Sequence, residues 1–230
     1  MILAIETATD IAGAALLDGD TLRAGFFFGA RRDVCQRLLP DIKAMLARTG
    51  AGVEALAAVA VGRGPGSFTG IRIGVAAAKG LALARELPLF GISTLAACAY
   101  PARGAGGLAC ALIPAYGDEL YAGIFRADQE LTPLEERVFP ALELMAHLSR
   151  LGQPVTFAPV HPRLRALLPL HDLAVGHRFL PHEPTWHLAS WVGCLARARL
   201  AAGEVGEGMG LAPVYLRPSQ AEMQAQRPAT

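Results

Sequence analysis

The stretch GRGPGSFTGIRIG, residues 62–74, decides the fold of this chain. An apolar run typical of a buried strand, Leu56–Val61, precedes it, and a helical pattern ending near Arg85, with Thr69 as the predicted N-cap, follows it. A glycine-rich turn between a strand and a helix places free N–H groups at the positive helix end, which suits an anion. The glycines are equally consistent with a tight turn and close helix packing alone. The stretch lacks the GK[ST] of a Walker loop, and Pro65 and the glycine spacing do not fit the dinucleotide fingerprint.

The first hundred residues predict a β-β-β-α-β-α-β-α order around this turn. The predicted strands before the turn are Met1–Ile5, Ala12–Leu17, Leu22–Phe28 and Leu56–Val61. Apolar residues at helical spacing from Val34 to Leu46 predict a helix that Pro40 kinks or restarts. After the glycine-rich turn and its helix come a strand at Pro88–Ile92 and a short helix capped by Ser93 or Thr94.

The same cycle repeats after Pro101–Gly107, a stretch with three glycines that predicts a lobe boundary. The predicted elements are strands at Leu108–Pro114, Leu120–Phe125 and Glu135–Phe139, a helix at Ala141–Arg150, a strand at Val155–Ala158, a helix at Arg163–Leu168, a strand at Leu173–Val175 and a helix at Leu188–Ala202. We therefore predict a two-lobed, duplicated α/β fold. The first lobe is residues 1–100 and the second 101–187, and residues 188–230 form a long helix returning toward the first lobe plus a polar tail.

Composition narrows the class of protein. Of the 230 residues, 53% are apolar and 18% charged, which excludes a disordered chain and a charged coiled coil. The net charge of +1 excludes a strongly basic nucleic-acid binder but leaves a local basic patch open. Four scattered cysteines predict free thiols in a reducing compartment. The start MILAIETATD has no basic region typical of a signal peptide, and no apolar run spans a bilayer. We expect a cytoplasmic protein with no membrane contact.

Residues 62–74, read together with ILAIETAT at residues 2–9, closely resemble the TsaB family, also called YeaZ. The stretches KGLA (79–82), GISTL (91–95) and PVYLR (213–217) extend the resemblance. It covers the first hundred residues well, the second lobe weakly and the end of the chain again. The long glycine-rich motif is highly specific.

The resemblance implies a fold, a function and partners. The fold is that of actin, sugar kinases and heat-shock ATPases. The function is that of a non-catalytic partner subunit in the formation of N6-threonylcarbamoyladenosine on tRNA. The partners are a TsaD-like catalytic subunit and a TsaE-like ATPase, so that ATP and metal are expected on those subunits and no cofactor on this chain. Contact with tRNA is expected to be indirect or weak, and a homodimer in the absence of TsaD is left open.

This sequence departs from the family pattern at four positions. Glu6 stands where most members have Asp, and Val34 where many have His. Pro114 and Tyr116 replace the Asp and Arg of the second-lobe pattern. In kinases of this fold the first acid handles the metal near the phosphates, so a longer side chain there weakens a catalytic interpretation. It leaves a scaffold interpretation intact, with an acid exposed at a strand end as the plain alternative for Glu6.

Two other functions are weighed against the partner role. A small ATPase or kinase of the same fold needs an acid at the start of the second lobe, where this chain has LIP at residues 112–114. A peptidase needs metal ligands, but no His precedes His147, and His182 and His187 flank Pro184. We therefore expect surface or structural roles for all six histidines, the others being His161, His171 and His177. Ser67 lies in GPGSF, which is not the GxSxG of hydrolases, and Cys35 has no evident activator.

The candidate site residues fall into two groups. The predicted partner interface uses the helices on either side of the fourth strand, because the small residues of the second helix permit close approach of another helix, although they are also consistent with packing on the chain's own sheet. The predicted interface residues are Leu38, Ile42, Gly66, Arg72, Val75, Ala76 and Lys79. The residues predicted to face an anion or nucleotide are Glu6, Thr7, Arg63 and Ser67. We expect the glycine-rich loop to shape the interface and not to bind nucleotide as a P-loop does, and we expect no metal site in this chain.

Overall fold

Five strands of the first hundred residues form one mixed sheet in the computed structural model, which describes residues 1–30, 33–158, 164, 177–181 and 188–217. The strands are β1 (Ile2–Glu6), β2 (Ile11–Asp18), β3 (Thr21–Gly29), β4 (Ala58–Gly62) and β5 (Leu89–Ile92), in the order β3-β2-β1-β4-β5. β1 pairs antiparallel with β2 and parallel with β4, and all five of its residues are buried. A central strand covered on both faces explains why ILAIE is almost continuously apolar.

Two helices cover one face of this sheet. They are α1 (Val34–Arg48) and α2 (Phe68–Ala84), and their apolar stripes pack on Leu3 and Ile5 of β1. Pro40 lies inside α1, on its exposed side, and the helix is one continuous element. The predicted fresh start at Pro40 is therefore wrong, because a proline on the solvent side removes one N–H but does not disturb the buried stripe.

The second sheet repeats the first. Its strands are β6 (Leu108–Pro114), β7 (Glu119–Arg126), β8 (Pro133–Pro140), β9 (Val155–Phe157) and β10 (Arg178–Phe179), in the order β10-β9-β6-β7-β8. β6 pairs antiparallel with β7 and parallel with β9, as β1 does with β2 and β4. One face of this sheet is covered by α4 (Ala141–Leu151). The duplicated two-lobed fold predicted from the sequence is confirmed.

The two lobes exchange helices. The short helix α3 (Thr94–Ala99) follows β5 but packs on β6 and β7, so that Leu95 lies against the second sheet. The last helix, α5 (Leu188–Ala201), packs on the opposite face of the first sheet from α1 and α2, over Ile2 and Ala4. Each sheet is thus covered on both faces.

Several boundaries differ from the prediction. Ser67, not Thr69, caps α2, because the Ser67 hydroxyl accepts a hydrogen bond from the Gly70 amide at 3.2 Å. Ser93 caps α3 in the same way through the Ala96 amide.

The four cysteines are free thiols, as predicted. The predicted strand at Leu173–Val175, the helix at Arg163–Leu168 except Leu164, and the tail after Arg217 lie outside the described residues.

Within the residues that the structure describes, none of the helices is long and apolar enough to cross a membrane.

Candidate functional site

The glycine-rich loop between β4 and α2 packs directly on the turn that follows β1. The Ser67 amide donates to the Ala8 carbonyl at 2.7 Å, and the Thr94 amide donates to the Gly64 carbonyl at 2.9 Å. The Gly70 amide is used by the Ser67 cap. The Ser67 and Gly70 amides are therefore engaged within the chain, whereas an amide that binds a phosphate must be free.

Close approach, more than conformational freedom, accounts for the glycines of this motif. A Cβ at Gly66 would overlap the Ala8 carbonyl, and one at Gly70 would overlap the Thr7 carbonyl. At Gly74 it would meet the Thr7 hydroxyl. These three glycines thus lie where the loop and α2 contact the turn after β1. This placement supports the architectural interpretation of the glycines.

Glu6 lies at the end of β1 and is sealed inside the protein. Only 1% of its surface is exposed, and its carboxylate accepts hydrogen bonds from the Ala8 amide at 2.5 Å and the Thr94 hydroxyl at 3.1 Å. A Cβ at Gly62 would overlap this carboxylate. Burial raises the pKa of Glu6 to about 7, although the bonds from Ala8 and Thr94 oppose the rise. The alternative of an acid exposed at a strand end is therefore wrong.

The other residues predicted to face an anion have partners within the chain. Thr7 is fully buried and its hydroxyl donates to the Gly70 carbonyl at 2.7 Å. Ser67 is the α2 cap. Arg63 is partly exposed and its guanidinium lies 3.9 Å from the Glu207 carboxylate. The structure brings Glu6, Thr7 and Ser67 together around the start of α2, with their polar atoms turned toward the chain itself.

Three of the residues predicted to lie at a partner interface are buried. Leu38, Ile42 and Val75 are at most 5% exposed and belong to the core between the helices and the first sheet. The prediction that these three residues lie at a contact surface is wrong. Apolar residues at helical spacing pack on the chain's own sheet.

The outward face of α2 carries a different set of residues. Five of its exposed positions follow each other at intervals of three or four and form one line along the helix: Thr69, Arg72, Ala76, Gly80 and Leu83. Leu83 is 62% exposed, and Leu39 on α1 is 46% exposed. Lys79 is half-buried at the border of this line. We call the exposed surfaces of α1 and α2 the helical face.

Arg72 is held at the start of this face by two aromatic rings. Its guanidinium lies 3.8 Å from the centre of the Phe68 ring, and its Nε donates to the Tyr215 hydroxyl at 3.0 Å. The stacked geometry favours a guanidinium over an ammonium. Arg72 is thus already engaged, although it remains exposed.

Sequence reasoning missed the contact between the two lobes next to this site. The Ser93 hydroxyl donates to Glu136 Oε1 on β8 at 2.5 Å, beside the Thr94–Glu6 bond. Burial is the main cause that raises the pKa of Glu136. The neighbouring Ser93 and Thr94 hydroxyls at the start of α3 therefore each donate to a carboxyl group, one in the second lobe and one in the first. The sequence carries no local sign of this pairing, because Glu136 sits 43 residues from Ser93.

Histidines and metal-binding groups were also considered. His147 pairs with Glu135 at 2.8 Å, and His177 Nδ1 accepts a hydrogen bond from the Val155 amide at 3.0 Å, which are structural roles as predicted. The remaining four histidines lie outside the described residues. Across the described part of the chain, no group of three or more His, Cys, Asp or Glu side chains is arranged to hold a metal ion.

Comparison with known proteins gives consistent matches. The family described as "TsaD: tRNA N6-adenosine threonylcarbamoyltransferase" matches residues 29–157. The tRNA threonylcarbamoyladenosine biosynthesis protein TsaB of Escherichia coli is 42% identical over 130 residues, which are 56% of each chain, so this match spans little more than half of that protein. The protein of the same name from Bacillus subtilis is 29% identical over 96% of both chains.

Solved structures match over nearly the whole length. A Pseudomonas aeruginosa protein, described as similar to the peptidase YeaZ, is 30% identical with a TM-score of 0.76, covering 94% of this chain and 99% of its own. The ROK hexokinase of Thermus thermophilus is 11% identical with a TM-score of 0.53, covering 88% of this chain and 99% of its own. The second likeness shows the fold alone, and it confirms the predicted sugar-kinase-like architecture.

Proposed function

The chain belongs to the TsaB (YeaZ) family, and from this premise we propose that it is a non-catalytic subunit for the formation of N6-threonylcarbamoyladenosine on tRNA. In this proposal a TsaD-like subunit carries out the transfer, a TsaE-like ATPase works with the pair, and ATP and metal are held by those subunits. Contact of this chain with tRNA is indirect or weak. The place of action is the cytoplasm, where tRNA is modified.

The state of Glu6 is the observation that carries the non-catalytic assignment. An acid that handles metal and water must present its carboxylate to the cleft. Here the carboxylate is 1% exposed and bonded to Ala8 and Thr94. The loop amides of Ser67 and Gly70 also donate within the chain. Both features support the role of a scaffold. The chain keeps the fold of its relatives, but the polar groups around Glu6 bond to one another.

The helical face is the surface that we assign to the catalytic subunit. Its small residues, Ala76 and Gly80, permit close helix approach, and Leu39 and Leu83 supply exposed apolar area at its borders. The family whose model matches this chain is itself named for the transferase, so the two subunits share a fold. Similar folds joined through the same face form a pseudo-symmetric dimer, and a second copy of this chain fits the face when the transferase is absent.

Turnover measurements test the assignment. The purified chain with ATP and magnesium should show no turnover near the rate of about 1 per second typical of enzymes. The same chain added to the TsaD-like and TsaE-like subunits should be required for modified tRNA to form. Turnover by the chain alone at that rate would favour the alternative of a small ATPase or kinase.

Complex formation tests the surface separately. Ala76→Arg should weaken binding to the TsaD-like subunit at least about tenfold, or 1.4 kcal/mol, because a long charged side chain prevents close helix packing. Leu142→Glu is the control, because Leu142 lies on α4 in the second lobe and is 74% exposed, more than Leu83 on the helical face. This variant should leave binding unchanged. Sedimentation of the mixtures separates the two results. Equal binding by both variants would remove the helical face from the proposal.

A further inference from the structure

Residues 207–217, which we call the strap, run from the first lobe across the glycine-rich loop to the second lobe. At one end Glu207 Oε2 accepts a hydrogen bond from the Gly91 amide on β5 at 2.9 Å. In the middle the Val214 amide donates to the Arg63 carbonyl at 2.7 Å. At the other end Arg217 Nη2 lies 3.2 Å from Glu119 Oε2 at the start of β7. One short segment therefore touches both lobes.

The first-lobe end of the strap is firmly anchored. Leu211 is 2% exposed and belongs to the core of the first lobe. A Cβ at Gly91 would overlap the Leu211 side chain, so β5 is shaped to admit it. Glu207 also accepts from Arg199 Nη1 at 3.2 Å. Burying a leucine stabilises the folded chain, which fixes this end of the strap.

The middle of the strap covers the start of the glycine-rich loop. The Val214 carbonyl lies 2.6 Å from the place that a Cβ on Gly64 would occupy. Gly64 also has φ +102°, so a side chain is disfavoured there twice over. The Tyr215 hydroxyl accepts the Arg72 hydrogen bond, and its ring lies 4.6 Å from the Phe68 ring. The strap thus lies on the loop and on the first turn of α2.

The second-lobe end is held in a different way. Arg217 is 19% and Glu119 is 33% exposed at the side chain, and the Arg217 guanidinium lies 5.1 Å from the Tyr116 ring centre. Glu119 Oε2 has no aligned hydrogen bond despite the short distance to Arg217. An ion pair without an aligned hydrogen bond holds the second-lobe end less firmly than the buried Leu211 side chain holds the first-lobe end. Leu216, partly buried against the cluster between the lobes, adds apolar contact.

We infer that the strap is a latch over the glycine-rich loop: it stays fixed at Leu211, while its Arg217 end detaches from the second lobe and uncovers Arg63 and Gly64. The inequality of the two anchors carries this inference, because a segment opens first at its weaker end. Opening also releases Arg72 from Tyr215 at the edge of the helical face. The latch is a property of this chain alone, and its test needs no partner.

Hydrogen exchange of the full chain tests the latch. In Arg217→Gln, the Val214 amide should exchange about two- to fivefold faster than in the wild type, because its bond to the Arg63 carbonyl opens with the strap. Fragments covering residues 207–211 should exchange at the wild-type rate. Glu119→Gln should have the same effect, and the double variant should add nothing further, since both changes remove one interaction.

Arg37→Gln is the matched control, because it removes exposed ion pairs with Asp33 and Asp41 at α1, away from the strap. It should leave exchange at Val214 unchanged. Unaltered exchange at Val214 in both Arg217→Gln and Glu119→Gln would overturn the inference. So would acceleration that is equal over residues 207–217, because the segment would then be leaving as a whole and not opening from one end.

Discussion

Glu6 is a carboxyl group that is sealed inside the chain at the end of a strand. The carboxylate sits at the end of the central strand, but burial and two hydrogen bonds turn it inward. Its raised pKa, about 7, follows from desolvation and not from a like charge. An acid in this state stabilises the chain best when it is protonated.

Stability should therefore respond to pH through Glu6. The pKa is about 7 in the folded chain against 4.5 as the ordinary value, so the folded chain binds the proton more tightly between these limits. The stabilising contribution is complete below pH 4.5 and is lost as the pH rises through 7. The free energy of unfolding of the wild type minus that of Glu6→Gln should fall by about 3 kcal/mol between pH 4.5 and 8. Urea unfolding at a series of pH values measures this difference.

Thr69→Ala supplies the comparison, because it changes an exposed residue without removing a titratable group. Its difference from the wild type should stay flat over the same range. A flat difference for Glu6→Gln as well would show that the Glu6 carboxyl is not desolvated in the folded chain.

At the scale of elements, the start of α2 depends on one hydroxyl. Ser67 caps the helix, whereas Thr69 lies two positions inside it and is exposed. Ser67→Ala should lower the free energy of unfolding by about 1 kcal/mol, and Thr69→Ala should change it by less than about half of that. Thermal unfolding of the two variants separates the outcomes. A larger loss for Thr69→Ala would restore the boundary that the sequence alone predicted.

Two glycines of α2 should respond oppositely to the same substitution. A Cβ at Gly70 would overlap the Thr7 carbonyl, but one at Gly80 would meet nothing within 4 Å. Gly70→Ala should destabilise the chain by about 2 kcal/mol or more, since backbone must shift. Gly80→Ala should stabilise it by roughly 0.5–1 kcal/mol through helix propensity. If both variants melt alike, the glycine motif does not record close packing against the β1 turn.

The elements were largely predictable because their signals are local. Apolar runs such as ILAIE predict buried strands, and the helical stripe from Val34 to Leu46 predicts α1. The boundaries moved where two capping residues stood close together, as at Ser67 and Thr69, since sequence does not show which hydroxyl meets a free amide. The interface set was less predictable, because Leu38 and Val75 have the same apolar character whether they face a partner or the chain's own sheet.

At the scale of the whole molecule, the duplication gives each lobe a sheet that is covered on both faces, partly by a helix from the other lobe. This exchange ties the lobes through α3, and the strap adds a second, weaker tie at Arg217. Contacts such as Ser93–Glu136 and Arg217–Glu119 join residues far apart in sequence, so no local pattern could have predicted them. The chain's own groups fill the space around Glu6, and the helical face is exposed.

The most direct test of the account is the amount of threonylcarbamoyladenosine formed on tRNA at neutral pH when the TsaD-like and TsaE-like subunits are combined with variants of this chain. The account predicts wild-type amounts with Glu6→Gln, because that carboxyl is sealed and takes no part in the transfer. It predicts almost none with Ala76→Arg, because the helical face can no longer receive the transferase. Loss of product with Glu6→Gln, together with normal product from Ala76→Arg, would contradict it and place catalysis in this chain.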